Sequence, residues 1–216
     1  MVSQPSAVKL GKRAAQKAET KQRLISIAVE VFAENDYDQV TVADIAERAG
    51  VAHGLLFHYF KSKRGIYLEA VRASAEQMNA AFAAVTGTSA GELLRSALEQ
   101  HLTYLRDHRG LALRLVLGGR SADPQAWEIY EAARWDVLGG LAMLLGLDQN
   151  NRALRFVGRV TVGAIDEASI QWLNNPDDFD LPQLVKWMES LIVACLSSAS
   201  VLDPGADIAA ALASLK

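Results

Sequence analysis

The sequence predicts an all-α protein with a small N-terminal domain and a larger C-terminal helical domain. Half of its 216 residues are apolar, and Ala and Leu outnumber Val and Ile among them, which favours helices over sheets. Apolar residues recur at spacings of three and four along most of the chain, and no segment alternates as a half-buried strand would. Gly, Asn and Pro separate these stretches and set the ends of the predicted helices.

The first element is a basic, flexible arm over residues 1–19, which are polar and Ala-rich and have no clear apolar stripe. A helix is predicted to begin at Thr20, with Leu24, Ala28 and Phe32 on one face. It is predicted to end at Asn35, because Asn tolerates the left-handed conformation that terminates many helices.

Three more helices follow in the N-terminal part. Thr41 opens the second, with Asp44 three residues later as the partner of a capping box, and Gly50 closes it. The third is predicted over Ala52–Tyr59, and Ser62 is a suitable N-cap for a longer fourth helix.

A Ser/Thr/Gly-rich linker at Thr86–Gly91 precedes helices that are longer and more apolar. We place the N-terminal domain at residues 20–72 and the larger domain at residues 73–216. The helix ends predicted in the larger domain are Gly110, Asp123-Pro124, Gly146, Asn151, Leu173, Asp180 and Ser198, with a short amphipathic helix in the tail.

Charge is distributed unevenly between the two parts. Residues 1–72 carry 11 Lys and Arg against 8 Asp and Glu, a net charge of +3, whereas residues 73–216 carry 11 against 17, a net charge of −6. A basic N-terminal part on an otherwise acidic chain suggests that this part binds a polyanion. The alternative is a solvated, disordered tail, which has the same composition.

Composition also argues against several classes of protein. The single cysteine, Cys195, rules out an intramolecular disulfide framework and suits a cytoplasmic protein. Met1–Leu10 has no signal-peptide core, and the longest apolar stretch, Val137–Leu147, is too short to span a bilayer, so no membrane association is expected. No phosphate-binding glycine loop, zinc-ligand spacing or nucleophile elbow is present, so we expect neither an enzyme nor a cofactor or metal.

The most informative segment is Thr41–Phe60, TVADIAERAGVAHGLLFHYF. Two short helices joined by a tight turn need a small residue where they cross, which Ala46 supplies, and a left-handed residue at the turn, which Gly50 supplies. Ile45, Val51 and Leu56 are placed to pack the second helix against the first. The segment therefore predicts a helix-turn-helix whose second helix is exposed to a DNA groove.

Over about 50 residues, Thr20–Val71, the chain resembles the DNA-binding domain of the tetracycline-repressor (TetR-like) regulators. The matching residues are Phe32-Ala33, Thr41, Ile45-Ala46, Ala49-Gly50-Val51, Phe57-His58-Tyr59-Phe60 and Lys63. The resemblance implies double-stranded operator DNA, a small-molecule effector and a second copy of the chain as partners. It also implies a larger domain for ligand binding and dimerisation, with repression as the commoner outcome.

Carried over position by position, the resemblance assigns DNA contacts to Thr41, Ala43, Ala52, His53, Gly54, Phe57, His58, Tyr59 and Lys63. Ala43 is small, so we expect little base reading from the first helix of the motif. Ala52, Leu55 and Phe57 stand where the family often has hydroxyl-bearing residues, and each departure removes a possible cap or phosphate contact. Our hypothesis is that Lys12, Arg13 and Lys17 compensate by lying along the minor groove.

The last two long helices, at about 151–173 and 180–198, match the family's dimer interface; the alternative is that their apolar faces are buried within one chain. A dimer would place two recognition helices in successive major grooves, about 34–36 Å apart, on a palindromic operator. The fourth helix is the long element that joins the two domains, so we expect it to transmit a ligand's effect.

Candidate ligand contacts are the polar or aromatic residues set in apolar helices: His101, Tyr104, Trp127, Tyr130, Trp135, Met143, Asp166 and Trp172. Asp166 either contacts the ligand, which would favour a cationic or hydrogen-bond-donating apolar effector, or pairs internally, with Arg159 as the candidate. Drugs, fatty-acyl compounds and signalling lactones all suit an apolar pocket.

The sequence thus predicts a ligand-responsive transcriptional repressor. The alternatives are a dimeric DNA-binding protein without an effector, whose core should lack a cavity of about 300 Å³ or more, and an all-α enzyme.

Overall fold

The computed structural model describes residues 6–83, 85–116 and 123–215, and these residues form helices and loops without a strand. The all-α prediction is therefore confirmed. The chain divides into two compact units between Ser74 and Ala75, two residues from the predicted boundary.

The N-terminal unit is built from α1 (Ser6–Glu34), α2 (Val42–Ala49), α3 (His53–Phe60) and the first half of α4 (Lys63–Ala83), which contains the boundary. The predicted helix start at Thr20 is wrong, because α1 begins at Ser6 and residues 6–19 are helical; the flexibility of the arm stays a prediction. The Ala, Lys, Gln and Glu residues of this stretch are strong helix formers even without an apolar stripe. Residues 1–5 of the predicted arm lie outside the described residues.

The core of this unit joins side chains from all four helices. Leu24, Ile45, Leu56 and Val71 have no exposed surface. Beside them, the ring of Phe32 lies 5.2 Å from that of Tyr67 and 6.0 Å from that of Tyr37, measured between centroids. This apolar and aromatic core fixes α2 and α3 on a common base.

The larger unit continues through α5 (Ala90–Asp107), α6 (Arg109–Leu111), a π-helical turn (Ala112–Val116), α7 (Pro124–Leu144), α8 (Arg152–Asn174), α9 (Leu181–Leu202) and α10 (Ala209–Ser214). The predicted N-caps Asp123, Asn151 and Asp180 each accept a hydrogen bond from a backbone N–H of the first turn. Gly146, with a φ of +64°, follows the end of α7. These local signals set the helix ends close to their predicted positions.

Helices α8 and α9 pack against each other and α5 packs against both, while α7 packs against α8 and α10 against α9. Leu145, Leu196, Ile208 and Ala211 form a separate small core under α10. The arrangement leaves space between α5, α7 and α8.

Among the described residues, one helix is long and apolar enough to cross a membrane by length and composition, namely α9. The expectation that no segment qualifies was based on uninterrupted apolar runs, which Lys186 and Glu189 break in this helix. Only 28% of its apolar window is buried within the chain. Most of the apolar surface of α9 is therefore exposed on this chain.

Candidate nucleic-acid interface and ligand cavity

The start of α2 is fixed by the predicted capping box. The backbone N–H of Asp44 donates to the Thr41 hydroxyl oxygen at 3.2 Å, and the backbone N–H of Thr41 donates to the Asp44 carboxylate at 2.7 Å. Hydrogen bonding from Thr41, first of all from its backbone, lowers the pKa of Asp44. Ala43, in the first turn of α2, is exposed and carries no polar group.

The turn between α2 and α3 is built on Gly50, whose φ of +63° lies in the left-handed region. The backbone N–H of Val51 donates to the Ala46 carbonyl at 3.0 Å across this turn. Ala46 is buried, and Ile45 and Leu56 have no exposed surface. The predicted crossing and turn residues are confirmed, and of the three predicted packing residues Ile45 and Leu56 are fully buried while Val51 is half-buried.

Helix α3 presents an exposed face that can enter a groove. His53, Gly54, Phe57 and His58 are exposed, and the ring centroids of His53 and Phe57 are 4.8 Å apart. Ala52 is the N-cap of α3 and makes no side-chain cap bond. The Leu55 N–H donates to the Ala52 carbonyl at 2.9 Å, so an anion such as a phosphate would be bound by the backbone N–H groups of His53 and Gly54.

Two residues expected at the DNA backbone are engaged within the N-terminal unit. The Tyr59 hydroxyl donates to the Lys17 carbonyl on α1 at 3.4 Å. The Lys63 ammonium lies 4.3 Å from the centroid of the Tyr37 ring. To donate to a phosphate, the Tyr59 O–H must leave the Lys17 carbonyl, whereas the Lys63 ammonium has three N–H donors and can do so without leaving the Tyr37 ring.

Arg23 has a structural role that the sequence does not reveal. Arg23 lies on α1, and its Nη1 donates to the Ala49 carbonyl at 3.3 Å. It thus provides a hydrogen-bond donor for a carbonyl group at the C-terminal end of α2. In the sequence it stands out only as one of several basic residues near the N-terminus, because its acceptor is 26 residues away.

A cavity of about 390 Å³, the main cavity, lies within the larger unit. Its volume and mostly apolar walls are typical of small-molecule sites. It is lined by α4, α5, α7, α8 and α9, with apolar contributions that include Met78, Leu94, Ala97, Leu98, Ala133, Val137, Leu138, Leu141, Leu144, Ile165 and Ile192.

The main cavity has a polar end. Three of the eight predicted ligand residues line it there, His101, Tyr130 and Asp166, and Arg134 joins them. Tyr130 lies in the first half of α7 and Arg134 at its middle, whereas Leu144 stands at its end, about 15 Å beyond Arg134 along the helix axis. The lining therefore changes from polar to apolar along α7.

Of the two alternatives for Asp166, contact with a ligand or an internal ion pair, the structure shows the ion pair. Arg134 donates to the Asp166 Oδ2 from Nε at 3.0 Å and from Nη2 at 2.7 Å. The partner is not Arg159, which instead donates to Glu131 at 3.0 and 2.7 Å. Spacing along α8 suggested Arg159, because a partner on another helix leaves no trace in local spacing.

Burial raises the pKa of Asp166, and the Arg134 guanidinium opposes this shift. Burial also lowers the pKa of His101 to about 4, helped by the positive charge of Arg134. The His101 ring is therefore neutral near pH 7, and the polar end combines a neutral imidazole with a compensated ion pair.

Arg134 itself was not among the predicted ligand residues. It is 9% exposed, and its Nη1 lies 3.7 Å from the Glu131 Oε1 with no hydrogen-bond acceptor among the described residues. Its position four residues after Tyr130 places both on one face of α7, and this signal could have identified it.

Two predicted ligand residues line other cavities in the larger unit. Trp135 lines a cavity of about 160 Å³, the small cavity, and the Arg155 guanidinium lies 4.3 Å from its ring centroid. Trp172 lines a third cavity of about 420 Å³, and its Nε1–H donates to the Phe179 carbonyl at 2.9 Å.

The remaining three predicted ligand residues are not in the lining of the main cavity, although Trp127 contacts Arg134, which is. The Arg134 guanidinium stands 5.2 Å from the centroid of Trp127. The Tyr104 hydroxyl donates to the Gln77 side-chain oxygen at 3.4 Å, and Met143 is 73% exposed. Helical spacing marks an apolar face without telling which neighbour that face meets. Among the described residues, no group of three His, Cys, Asp or Glu could hold a metal ion.

A helix-turn-helix with an exposed second helix, together with an apolar cavity closed by a few polar groups, defines a DNA-binding regulator that responds to a ligand. Residues 24–70 match the family model of the bacterial regulatory proteins of the tetR family. The N-terminal unit is therefore similar to the DNA-binding domain of the TetR family of transcriptional regulators.

Two relatives match most of the chain. The fatty acid metabolism regulator protein of Bacillus subtilis is 28% identical over 190 residues, which cover 83% of this chain and 96% of that protein. The transcriptional activator FasR of Mycolicibacterium smegmatis is 27% identical over 178 residues, or 78% of each chain.

Solved structures share the fold. A tetR-family regulator from Streptomyces coelicolor has a TM-score of 0.78 at 18% identity, covering 92% of this chain and 88% of its own. The regulator FadR from Bacillus subtilis, in complex with stearoyl-CoA, has a TM-score of 0.61 at 25% identity, covering 81% and 97%.

Proposed function

We propose that this protein is a homodimeric repressor that is released from a palindromic operator by an elongated, largely apolar effector with one polar end. The observation that carries the proposal is the main cavity, with about 390 Å³ of mostly apolar space and a polar end. A DNA-binding protein without an effector needs no such space in its core, because an empty cavity lowers stability.

Dimerisation is supported by exposed apolar side chains on α8 and α9. Phe156 and Val160 on α8 are 62% and 52% exposed, and Trp187 on α9 is 50% exposed. Phe156, Val160 and Gly163 follow one another at spacings of four and three, so they share one face of α8. Packing these faces against a second copy would bury apolar surface that one chain leaves in water.

Gly158, another small residue of α8, does not lie on this face. A Cβ atom placed on Gly158 would lie 3.1 Å from the Leu138 Cδ2, so this glycine faces α7 within its own chain. The proposed interface therefore depends on the stripe that contains Phe156 and on the exposed side of α9.

The effector class follows from the shape and polarity of the main cavity. Its lining on α7 runs from Tyr130 to Leu144, about 21 Å along the helix, which suits an extended aliphatic chain. Because Arg134 compensates Asp166, the cavity does not call for a cationic effector. Among the residues that the structure describes, none accepts a hydrogen bond from Arg134 Nη1, so an effector that carries a hydrogen-bond acceptor at its polar end fits best. The stearoyl-CoA bound by the related FadR contains a long acyl chain, and we propose a fatty-acyl type of effector for this protein.

Release from DNA would be transmitted through α4. Met78 on α4 lines the main cavity, and Lys63 at the start of the same helix lies in the helix-turn-helix unit. A ligand that displaces Met78 would tilt the helix, and two recognition helices on one operator tolerate little change in their separation.

The test is fluorescence anisotropy of the protein on labelled DNA from immediately upstream of its own gene, with scrambled DNA as control. We expect tight, sequence-selective binding by two copies per operator, weakened by Phe57→Ala and reversed by palmitic acid or palmitoyl-CoA. Selective binding that acyl compounds leave unchanged would contradict the effector class. Binding that acyl compounds strengthen would contradict release.

A further inference from the structure

The polar end of the main cavity belongs to an ion-pair network between α7 and α8. Arg134 donates to the Asp166 carboxylate, and Arg159 donates to both carboxylate oxygens of Glu131. The Glu131 Oε1 also lies 3.7 Å from the Arg134 Nη1, which links the two pairs. None of these four side chains is more than 23% exposed. The network balances two positive charges with two negative ones, so its net charge is zero.

The other groups that face this end add no charge. Among the described residues that line the main cavity, the Arg134–Asp166 pair provides the only Lys, Arg, Asp or Glu side chains. His101 reaches this end from α5, and its ring is neutral near pH 7 because burial lowers its pKa to about 4. Tyr130 contributes a phenol, and the lining residues on α4 and α9 are apolar. The end is thus polar, buried and electrically balanced.

A negatively charged head group would leave this buried end with a net charge of −1. A buried charge that lacks a counter-charge is strongly unfavourable, and such a group usually becomes neutral by gaining or losing a proton. Asp166 experiences the same effect, because burial raises the pKa of its carboxyl even though Arg134 donates to it. The end therefore favours a head group that accepts hydrogen bonds without carrying a charge.

We propose that the polar end binds the head group of the acyl effector in an uncharged form, so that an acyl amide, ester or thioester is preferred to the free carboxylate. This inference rests on the proposed fatty-acyl effector and adds the chemical class of its head group. In each of these derivatives the carbonyl oxygen accepts hydrogen bonds and the head group brings no charge.

A free fatty acid still binds, but it takes up one proton from solvent as it enters. An ordinary carboxyl group has a pKa of about 4, so above this pH the protonated fraction of the acid falls about tenfold per pH unit. The affinity for the acid falls with that fraction, whereas the affinity for an amide of the same chain length does not change. His101, with a pKa of about 4, does not titrate between about pH 6.5 and about pH 8.5.

The experiment is isothermal titration calorimetry of the full-length protein with dodecanoic acid and with dodecanamide. Titrations in phosphate and in Tris, which have different heats of ionisation, give the number of protons taken up. At about pH 7.5 we expect about one proton per molecule of acid and none per molecule of amide. The affinity for the acid should fall about tenfold per pH unit from about pH 6.5 to about pH 8.5, and the affinity for the amide should stay constant.

A substitution in the network should remove this proton uptake. Asp166→Asn leaves Arg134 free to balance a ligand carboxylate, so the acid should bind about tenfold or more tightly than to the wild type at about pH 7.5, without a proton. The matched control is Glu167→Gln, which removes the same charge from the next residue of α8. Glu167 is exposed and accepts from the Gln171 Nε2 at 2.8 Å, outside the network. This control should behave as the wild type.

The outcomes separate this inference from the proposed function. If the wild type binds the acid without proton uptake and equally well at each pH, the uncharged head group is overturned and the fatty-acyl effector stands. If Asp166→Asn takes up a proton as the wild type does, the charge balance is not the cause and the inference is overturned. If neither compound binds, the fatty-acyl effector falls, and this inference falls with it. The wild-type titrations decide the question even if Asp166→Asn does not fold.

Discussion

Acid should weaken the fold through His101, and the size of the effect can be worked from its environment. Its pKa is about 4 in the folded chain against an ordinary value of 6.5. Between these two pH values the unfolded chain binds more protons than the folded chain, so the free energy of unfolding falls as the pH falls. The total loss is about 3 kcal/mol, of which about 2 kcal/mol is reached by about pH 5.

The assay is urea unfolding followed by circular dichroism, in wild type and His101→Gln, from about pH 7.5 to about pH 5. The variant should lose about 2 kcal/mol less than the wild type over this range, because glutamine does not titrate. Asp166, whose pKa burial raises, contributes with the opposite sign in both proteins and so cancels in the comparison. His58→Gln, which replaces an exposed imidazole on α3, controls for the substitution itself. Parallel pH profiles for wild type and His101→Gln would refute the reasoning.

Three further predictions concern the cap, the interface and the cavity. Thr41→Ala removes the hydroxyl that caps α2 and should lower the free energy of unfolding by about 1 kcal/mol in urea, with Thr41→Ser close to wild type; equal midpoints for all three would show that the cap contributes nothing. Trp187→Glu places a charge on the exposed face of α9 and should yield monomers in multi-angle light scattering with unchanged helicity, so a variant that stays dimeric would exclude this face as the interface. Ala97→Phe fills part of the main cavity and should abolish release by palmitic acid while DNA binding persists. The control Ala132→Phe, at an exposed position of α7, should still be released. If palmitic acid releases both variants, the effector does not bind in the main cavity.

The helix-turn-helix could be predicted closely because its determinants are local. A threonine with an aspartate three residues later makes a capping box, and a glycine after two turns makes the left-handed turn, whatever the rest of the chain does. The same holds for Asp123 and Asp180, which start α7 and α9.

The ligand site could be predicted only in part, because its determinants are long-range. Asp166 and Arg134 are 32 residues apart and meet only when α7 packs against α8. Trp135 and Trp172 were expected in one pocket, but they line two different cavities. Helical periodicity tells which side of a helix is apolar, and the packing of several helices decides which space that side faces.

The exposed apolar side of α9 has a consequence for how steeply the regulator responds to its own abundance. If a palindromic operator takes two copies joined through this face, occupancy rises with the square of the protomer concentration while most copies are still monomeric. Halving the amount of protein in that range would reduce occupancy about fourfold. A modest change in the expression of the regulator would then cause a larger change in operator occupancy, even before any effector binds.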